Sequence, residues 1–271
     1  MLRDNFGRKI DYLRISVTDK CNYRCVYCMP EEGVKLKRHE EILSFEKITR
    51  IAGCAARLGI VKIRLTGGEP LVRKDVEKLV AMLAHCEGID ELVMTSNGSL
   101  LSEEKALDLK RAGLSRINIS LDTLDGDEFK KITRRGNIED VLSGIEAARS
   151  AGLDPVKINM VIFEDTSHDD IKAMRSFCQR KGLKLQTIKQ FSLYNREGKI
   201  SFPFVFDRPQ PCSLCNKIRL TADGLLKPCL LSNSEIRVDW NDIEKSLKRA
   251  VREKPQRGTV CDNRMMSQIG G

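Results

Sequence analysis

The stretch Cys21-Asn22-Tyr23-Arg24-Cys25-Val26-Tyr27-Cys28 carries three cysteines at C-x3-C-x2-C, with no fourth nearby. Three thiolates on one short loop can hold three irons of a cubane [4Fe-4S] cluster and leave the fourth iron open to another ligand. A fully ligated electron-transfer cluster has four cysteines, and structural zinc takes paired cysteine or cysteine–histidine knuckles. The spacing therefore implies a cluster with a free coordination site, where chemistry can happen. Core packing is the plain alternative, but it does not gather three cysteines among polar neighbours.

A second set follows far downstream, where Cys212, Cys215 and Cys229 form C-x2-C-x13-C around a hairpin signal at Thr221-Ala222-Asp223-Gly224. A zinc ribbon is the rival here. It needs a fourth ligand from Cys261, a histidine or an acidic group, and no histidine lies after His168. Cys54, Cys86 and Cys178 fall on apolar helical faces and read as packing residues. Cys261, near the tail, is left unassigned.

These cysteines must be positioned by regular elements. Over residues 12–191, β-branched runs alternate with amphipathic helical stretches: strands near 13–18, 62–66, 91–95, 116–121, 156–163 and 183–190, helices near 45–57, 74–86, 102–112, 138–151 and 169–181. Ser44 and Ser102 read as N-caps, and Gly59, Gly113, Gly152 and Gly182 as helix stops. Repeated βα units demand parallel strands joined by right-handed crossovers, in a barrel or a doubly wound sheet. Six units are too few for a standard eight-fold barrel. Ligands gather at the C-terminal ends of such strands, and the first cysteine loop follows the first strand. After residue 191 the alternation stops, and 195–211 reads as turn and extended linker. Two parts are expected: residues 1–200, and a small C-terminal domain of residues 201–271 with the second cysteine set.

The second strand ends in Thr66-Gly67-Gly68-Glu69-Pro70. Paired glycines let backbone approach a ligand closely, and Glu69 can receive a cationic amine. Thr95-Ser96-Asn97-Gly98 and Ile119-Ser120-Leu121-Asp122 put small polar groups at the ends of the third and fourth strands. Arg14, Lys62, Arg64 and Lys157 are read at the rim side of successive strands; Lys62 and Arg64 share a face, as a common anion requires.

The balance of 47 basic against 38 acidic residues gives +9, which favours an anionic partner. A basic nucleic-acid-binding ribbon protein is one competing reading, but aromatic residues are only 5%, too few for a stacking surface. No apolar run is long enough to span a bilayer, no export signal is visible, and ten cysteines without one point to a reducing cytoplasm.

The first cysteine spacing, with an aromatic residue before the last cysteine, resembles the radical S-adenosylmethionine (SAM) superfamily. A closer resemblance runs nearly the whole chain. Asp4-Asn5-Phe6-Gly7-Arg8, residues 13–22, Cys25-Val26-Tyr27-Cys28-Met29-Pro30, residues 63–71, residues 119–122, residues 212–220 and Ile269-Gly270-Gly271 are similar to the molybdenum-cofactor GTP 3',8-cyclases. The resemblance implies a partial (β/α)6 TIM-like barrel with a small C-terminal iron–sulfur domain, and two [4Fe-4S] clusters. Cys21, Cys25 and Cys28 would hold the cluster that cleaves SAM to a 5'-deoxyadenosyl radical, with Glu69 at the SAM amine. Cys212, Cys215 and Cys229 would hold one whose open iron meets GTP. The radical would take a ribose hydrogen, and the carbon radical would attack C8 of the purine.

Matching positions place SAM against Tyr27, Gly67, Gly68 and Ser120. They place the nucleotide and its phosphates against Arg14, Lys62, Arg64, Thr95, Lys157 and Arg219, with the Gly270-Gly271 tail entering the active site. The chain departs from the family at Lys217, where arginine is usual, and at Gln186, Lys189 and Phe191; the segment before Cys212 is shorter. A paralogue acting on another nucleotide, small molecule or peptide is the second enzyme reading. An external electron donor such as flavodoxin or ferredoxin, and a homodimer, are family expectations; no membrane or nucleic-acid partner is expected.

Overall fold

The structure is a computed structural model that describes residues 1–190, 193 and 211–270. The expected part boundary at 200/201, Phe191 and Gly271 lie outside the described residues. In chain order the elements are β1 (Tyr12–Ser16), α1 (Phe45–Arg57), β2 (Lys62–Thr66), α2 (Val76–Ala84), β3 (Glu91–Ser96), α3 (Glu103–Arg111), β4 (Arg116–Ser120), α4 (Gly126–Thr133), α5 (Ile138–Ser150), β5 (Lys157–Ile162), α6 (His168–Arg180), β6 (Lys184–Lys189), β7 (Lys217–Leu220), β8 (Leu225–Lys227), β9 (Ile236–Arg237), α7 (Ile243–Arg252) and α8 (Met266–Ile269).

Strands β1 to β6 are parallel and pair in sequence order, each joined to the next by helix, which makes a partial (β/α)6 barrel. The helices start where the sequence supplies acceptors: Ser44 Oγ accepts from Lys47 N, and Ser102 Oγ from Lys105 N. The extra helix α4 was not picked out by the periodicity, because half of its residues are charged and it buries only Phe129, Ile132 and Thr133. Asp125 caps it by accepting from Glu128 N.

Alternation along the strands divides two environments. Leu13, Ile15, Ile63, Leu65, Leu92, Met94, Ile117 and Ile119 join Ile48, Ile51, Leu79, Val80 and Leu109 of the helices in one fully buried core. The residues between them, Tyr12, Arg14, Arg64, Thr66, Thr95, Asn118, Ser120 and Asn159, project to the barrel interior, so the inner face is polar. Burial of the core face supplies roughly 25 cal/mol per Å2 of apolar surface; the inner face is left for ligands.

The C-terminal segment extends the same sheet. Strand β7 pairs parallel to β1 with Tyr12 opposite Lys217 and Arg14 opposite Arg219, and β8 and β9 follow antiparallel. Ile218, Leu220, Leu226, Val238 and Leu247 belong to the same core as the barrel. Trp240 packs on this core from the chain entering α7, with Lys47 Nζ 5.1 Å from its ring centre.

Candidate active site

The loop after β1 is held from three sides. Gly68 N and Glu69 N donate to Thr18 O and Lys20 O, each at 2.8 Å. Arg24 N and Val26 N donate to Thr133 O and Ile132 O at the end of α4. Asn22 joins Asn97 and Ser99 in a side-chain amide and hydroxyl network. The two glycines are required for a reason the sequence did not reveal. A Cβ on Gly67 would lie 2.6 Å from Thr18 O, and one on Gly68 would lie 2.6 Å from the Lys20 carbonyl carbon. They let the cysteine loop seat against the strand end, and both also line the cavity beside it.

Cys21, Cys25 and Cys28 line one cavity with Tyr27, Thr66, Gly67, Gly68, Glu69, Thr95, Ser120, Asn159, Lys189 and Met266. Burial pushes the Cys21 thiol up to about 11 and Cys28 to about 12, and raises Cys25 as well; the neighbouring thiols add to the shift of Cys25 and Cys28. Three thiols that resist ionising together fit a cationic iron centre, which stabilises all three as thiolates. Among the described residues no three histidine, cysteine or acidic side chains converge tightly enough to share one ion. A cubane puts each thiolate on a different iron and needs no such convergence.

Glu69 is 1% exposed, and burial raises its carboxyl to about 7. Ser96 Oγ (2.8 Å), Asn97 N (2.7 Å) and Leu71 N (3.0 Å) donate to it, leaving acceptor capacity for an ammonium. Tyr27 Oη donates to Asp122 Oδ2 at 2.9 Å, and Val161 N donates to Asp122 Oδ1 at 2.8 Å. Burial raises Asp122 to about 6. Asp122, quoted only as part of a motif, is thus the group that fixes the Tyr27 ring over the cavity.

The cationic residues form two rows across three strands. Arg64, Arg14 and Arg219 stand in register on β2, β1 and β7; Lys62, Tyr12 and Lys217 form the next row. Burial lowers Arg14 to about 9, and the flanking Arg219 and Arg64 act the same way. Arg64 donates to Tyr12 Oη and, at 2.7 Å, to Thr95 Oγ1. Arg219 Nε is buried without a hydrogen-bond partner among the described residues. Lys62 and Lys157 are the first residues of β2 and β5, so they lie at the end of the barrel away from the first cysteine loop and not at its rim. Alternation fixes the face of a strand residue but not its height. Lys62 is also paired with Glu91, an internal acid that Arg116 shares at 2.6 Å.

The second cysteine set lies at that far end, because Cys212 and Cys215 precede β7, which runs parallel to β1. Five residues of strand at about 3.3 Å each put roughly 17 Å of barrel between the two cysteine loops. Lys254, only 2% exposed, donates to Lys217 O at 2.8 Å and Pro228 O at 2.9 Å, and also bonds the Cys215 thiol. Burial raises Cys215, but Lys254 and Arg219 outweigh it, and the thiol ends below its ordinary value. Gly258 packs on Cys229, where a Cβ would lie 2.6 Å from Sγ. Cys261 is buried in a small cluster with Leu231 and Ile269 against which Cys229 packs. Cys54 and Cys178 are buried and Cys86 partly so, in the main core.

The C-terminal segment returns to the first loop. Ser267 N donates to the Cys28 thiol, Met266 lines the cavity, and Gly270 has φ +80°. A Cβ on Gly270 would lie 3.0 Å from Thr66 Cβ, so the tail rests on the end of β2.

Comparison with known proteins follows this geometry. Residues 15–178 match the family model of the radical SAM superfamily. The GTP 3',8-cyclase of Thermodesulfovibrio yellowstonii is 38% identical over 324 positions, covering 100% of both chains, and that of Moorella thermoacetica is 40% identical with the same coverage. An alignment of 324 positions against 271 residues means that segments of the relative have no counterpart here. The crystal structure of Streptococcus suis SuiB superposes with a TM-score of 0.71 at 15% identity, covering 92% of this chain and 67% of that one. Native anSMEcpe with bound AdoMet gives 0.66 at 15% identity, covering 90% and 81%. The chain belongs to the radical SAM superfamily and, within it, to the GTP 3',8-cyclase family.

Proposed function

We propose that this protein cleaves SAM reductively and uses the radical to cyclise GTP in molybdenum-cofactor synthesis, with one [4Fe-4S] cluster on Cys21, Cys25 and Cys28 and a second on Cys212, Cys215 and Cys229. The observation that carries the nucleotide reading is the pair of cationic rows between the two cysteine loops. Three arginines in adjacent register repel one another, and among the described residues the ionisable groups that offset them include Tyr12 and, beside Arg219, the thiols of Cys229 and Cys215. Such a row is stabilised by a bound polyanion, and a triphosphate supplies one. The first cluster, when bound, supplies the electron that breaks a carbon–sulfur bond of SAM.

The chain's own residues do the rest. Glu69 takes the SAM ammonium while Ser96 and Asn97 hold its carboxylate in place. Asp122 orients Tyr27, and Ser120 and Asn159 complete the cavity wall. Arg14, Arg64 and Arg219 grip phosphate, with Lys62, Lys157 and Lys217 beside them and Thr95 fixing the Arg64 guanidinium. Lys254 keeps Cys215 ready to ionise. The tail, through Met266 and Gly270, covers the cavity and shields a radical from water. Residues 1–200 and 201–271 then act as a radical-generating part and a substrate-presenting part.

Anaerobically reconstituted protein is expected to hold about eight irons, as two cubanes require. With SAM, reductant and GTP it should release 5'-deoxyadenosine while GTP is consumed. Release of 5'-deoxyadenosine with GTP untouched points instead to a paralogue with another substrate.

A further inference from the structure

We propose that Glu91 is a built-in counter-anion of the cationic inner face, displaced from Lys62 and Arg116 by the polyphosphate of the bound nucleotide. The inference rests on the nucleotide reading above and names a residue that sets how tightly, and how selectively, phosphates are held there. Strands β1 to β7 contain a single carboxylate, Glu91, the first residue of β3. Register places Lys62 opposite Glu91, Arg64 and Arg116 opposite Val93, and Lys157 opposite Asn118. Alternation then turns Glu91 and these four cations to the same inner face.

Both oxygens of this carboxylate are occupied. Lys62 Nζ forms an ion pair with Oε2, while Arg116 Nε and Nη2 reach Oε1 at 2.7 and 2.6 Å. Each oxygen holds one cation, as the oxygens of a phosphate would. Arg116 Nη1 also donates to Asn118 Oδ1 at 3.0 Å, which keeps the guanidinium on the inner face when Glu91 leaves. Burial raises the Glu91 carboxyl, but Lys62 and Arg116 outweigh it and hold it below its ordinary value. Burial lowers Lys157, as do Arg116, Arg64 and Lys62, and Glu91 acts against them.

The arrangement is not sealed. The side chain of Glu91 is 32% exposed, that of Lys62 25% and that of Arg116 14%. A carboxylate this open can turn out to water, where it is solvated again. In the empty site Glu91 offsets the repulsion among the cations; beside a bound polyphosphate it is a like charge and opposes binding. A ligand must therefore bring enough negative charge to replace it, so the site favours a polyphosphate over a ligand without one.

The test is anaerobic titration calorimetry of the reconstituted holoenzyme with GTP, guanosine and inorganic triphosphate as probes. Glu91→Gln keeps the shape of the side chain and removes its charge. It should bind GTP and inorganic triphosphate about tenfold tighter than the wild type does, and guanosine with wild-type affinity. Its Tm without ligand should fall, and saturating triphosphate should raise it by more than it raises the wild type's. SAM binding at the wild-type level shows the variant folded. If Glu91→Gln does not fold, Glu91→Asp is read in its place: too short to hold both cations, it should bind triphosphate several-fold tighter. Triphosphate bound no tighter than by the wild type, or an equal gain with guanosine, overturns the proposal. Wild type and variant alike binding neither GTP nor triphosphate refutes the nucleotide reading itself, and the proposal with it.

Discussion

Gly68→Ala is the most informative single change at the first loop. The new methyl would sit 2.6 Å from the Lys20 carbonyl carbon and 2.9 Å from Asp19 O, with Lys20 O closer still, whereas ordinary contact begins near 3.4 Å. All three atoms are backbone, so no side chain can swing aside. The loop must retreat by roughly an ångström, and overpacking of this kind costs about 1–3 kcal/mol. Retreat also stretches the Gly68 N–Thr18 O and Glu69 N–Lys20 O bonds, both 2.8 Å, at about 1 kcal/mol each. A loss of about 3–5 kcal/mol follows, or on the order of 10 °C in Tm for a chain of this size. Cys21 is the next residue after Lys20 and moves with it, so iron should fall from about eight to about four per chain, the second cluster being retained. Thermal unfolding and iron analysis under anaerobic conditions read both effects. Gly182→Ala, where a Cβ meets nothing within 4 Å but φ is +67°, shows the cost of left-handed strain without a clash, a strain that Gly68 does not carry. Full iron content and an unchanged Tm in Gly68→Ala would refute the packing role assigned to this glycine.

Two further outcomes follow from the buried ionisable groups. Burial raises Glu69 to about 7, above its ordinary value of 4.5, so its charged form is the one the fold disfavours; SAM affinity should rise with pH up to about 7 and then level. One pH unit below that value binding should be about tenfold weaker, and titration calorimetry of Glu69→Gln should show weak binding with no such slope. Lys254→Met leaves Lys217 O and Pro228 O without their donor and removes the cation beside Cys215, which should cost about 2–3 kcal/mol. Mössbauer spectra should show the second cluster lost and the first intact, with SAM cleavage continuing; eight irons in this variant would contradict the role given to Lys254.

The barrel was legible because its signals are local. Cysteine spacing, serine caps and β-branched runs each act within a few residues, and Lys62 and Arg64 showed their shared face through simple alternation. What stayed hidden depends on distant pairing. The hairpin after Cys215 gives no sign that β7 lies parallel to β1, yet that pairing aligns Arg219 with Arg14 and sends the second cysteines to the opposite end of the barrel. Lys254 and the fully buried Lys227, which donates to Ser232 O, carry no local signal because only folding surrounds them with carbonyls. Gly67 and Gly68 were noticed, but a sequence cannot show that the atom excluding a side chain belongs to a loop some fifty residues away.

The central claim is that the radical made at the first loop reaches GTP. A bond between C3' and C8 requires that the hydrogen on C3' leave, so GTP deuterated at C3' is the direct probe. Mass spectrometry of the 5'-deoxyadenosine formed with SAM and reductant should show one deuterium gained. Undeuterated 5'-deoxyadenosine, formed at the same rate with or without the nucleotide, would contradict the account.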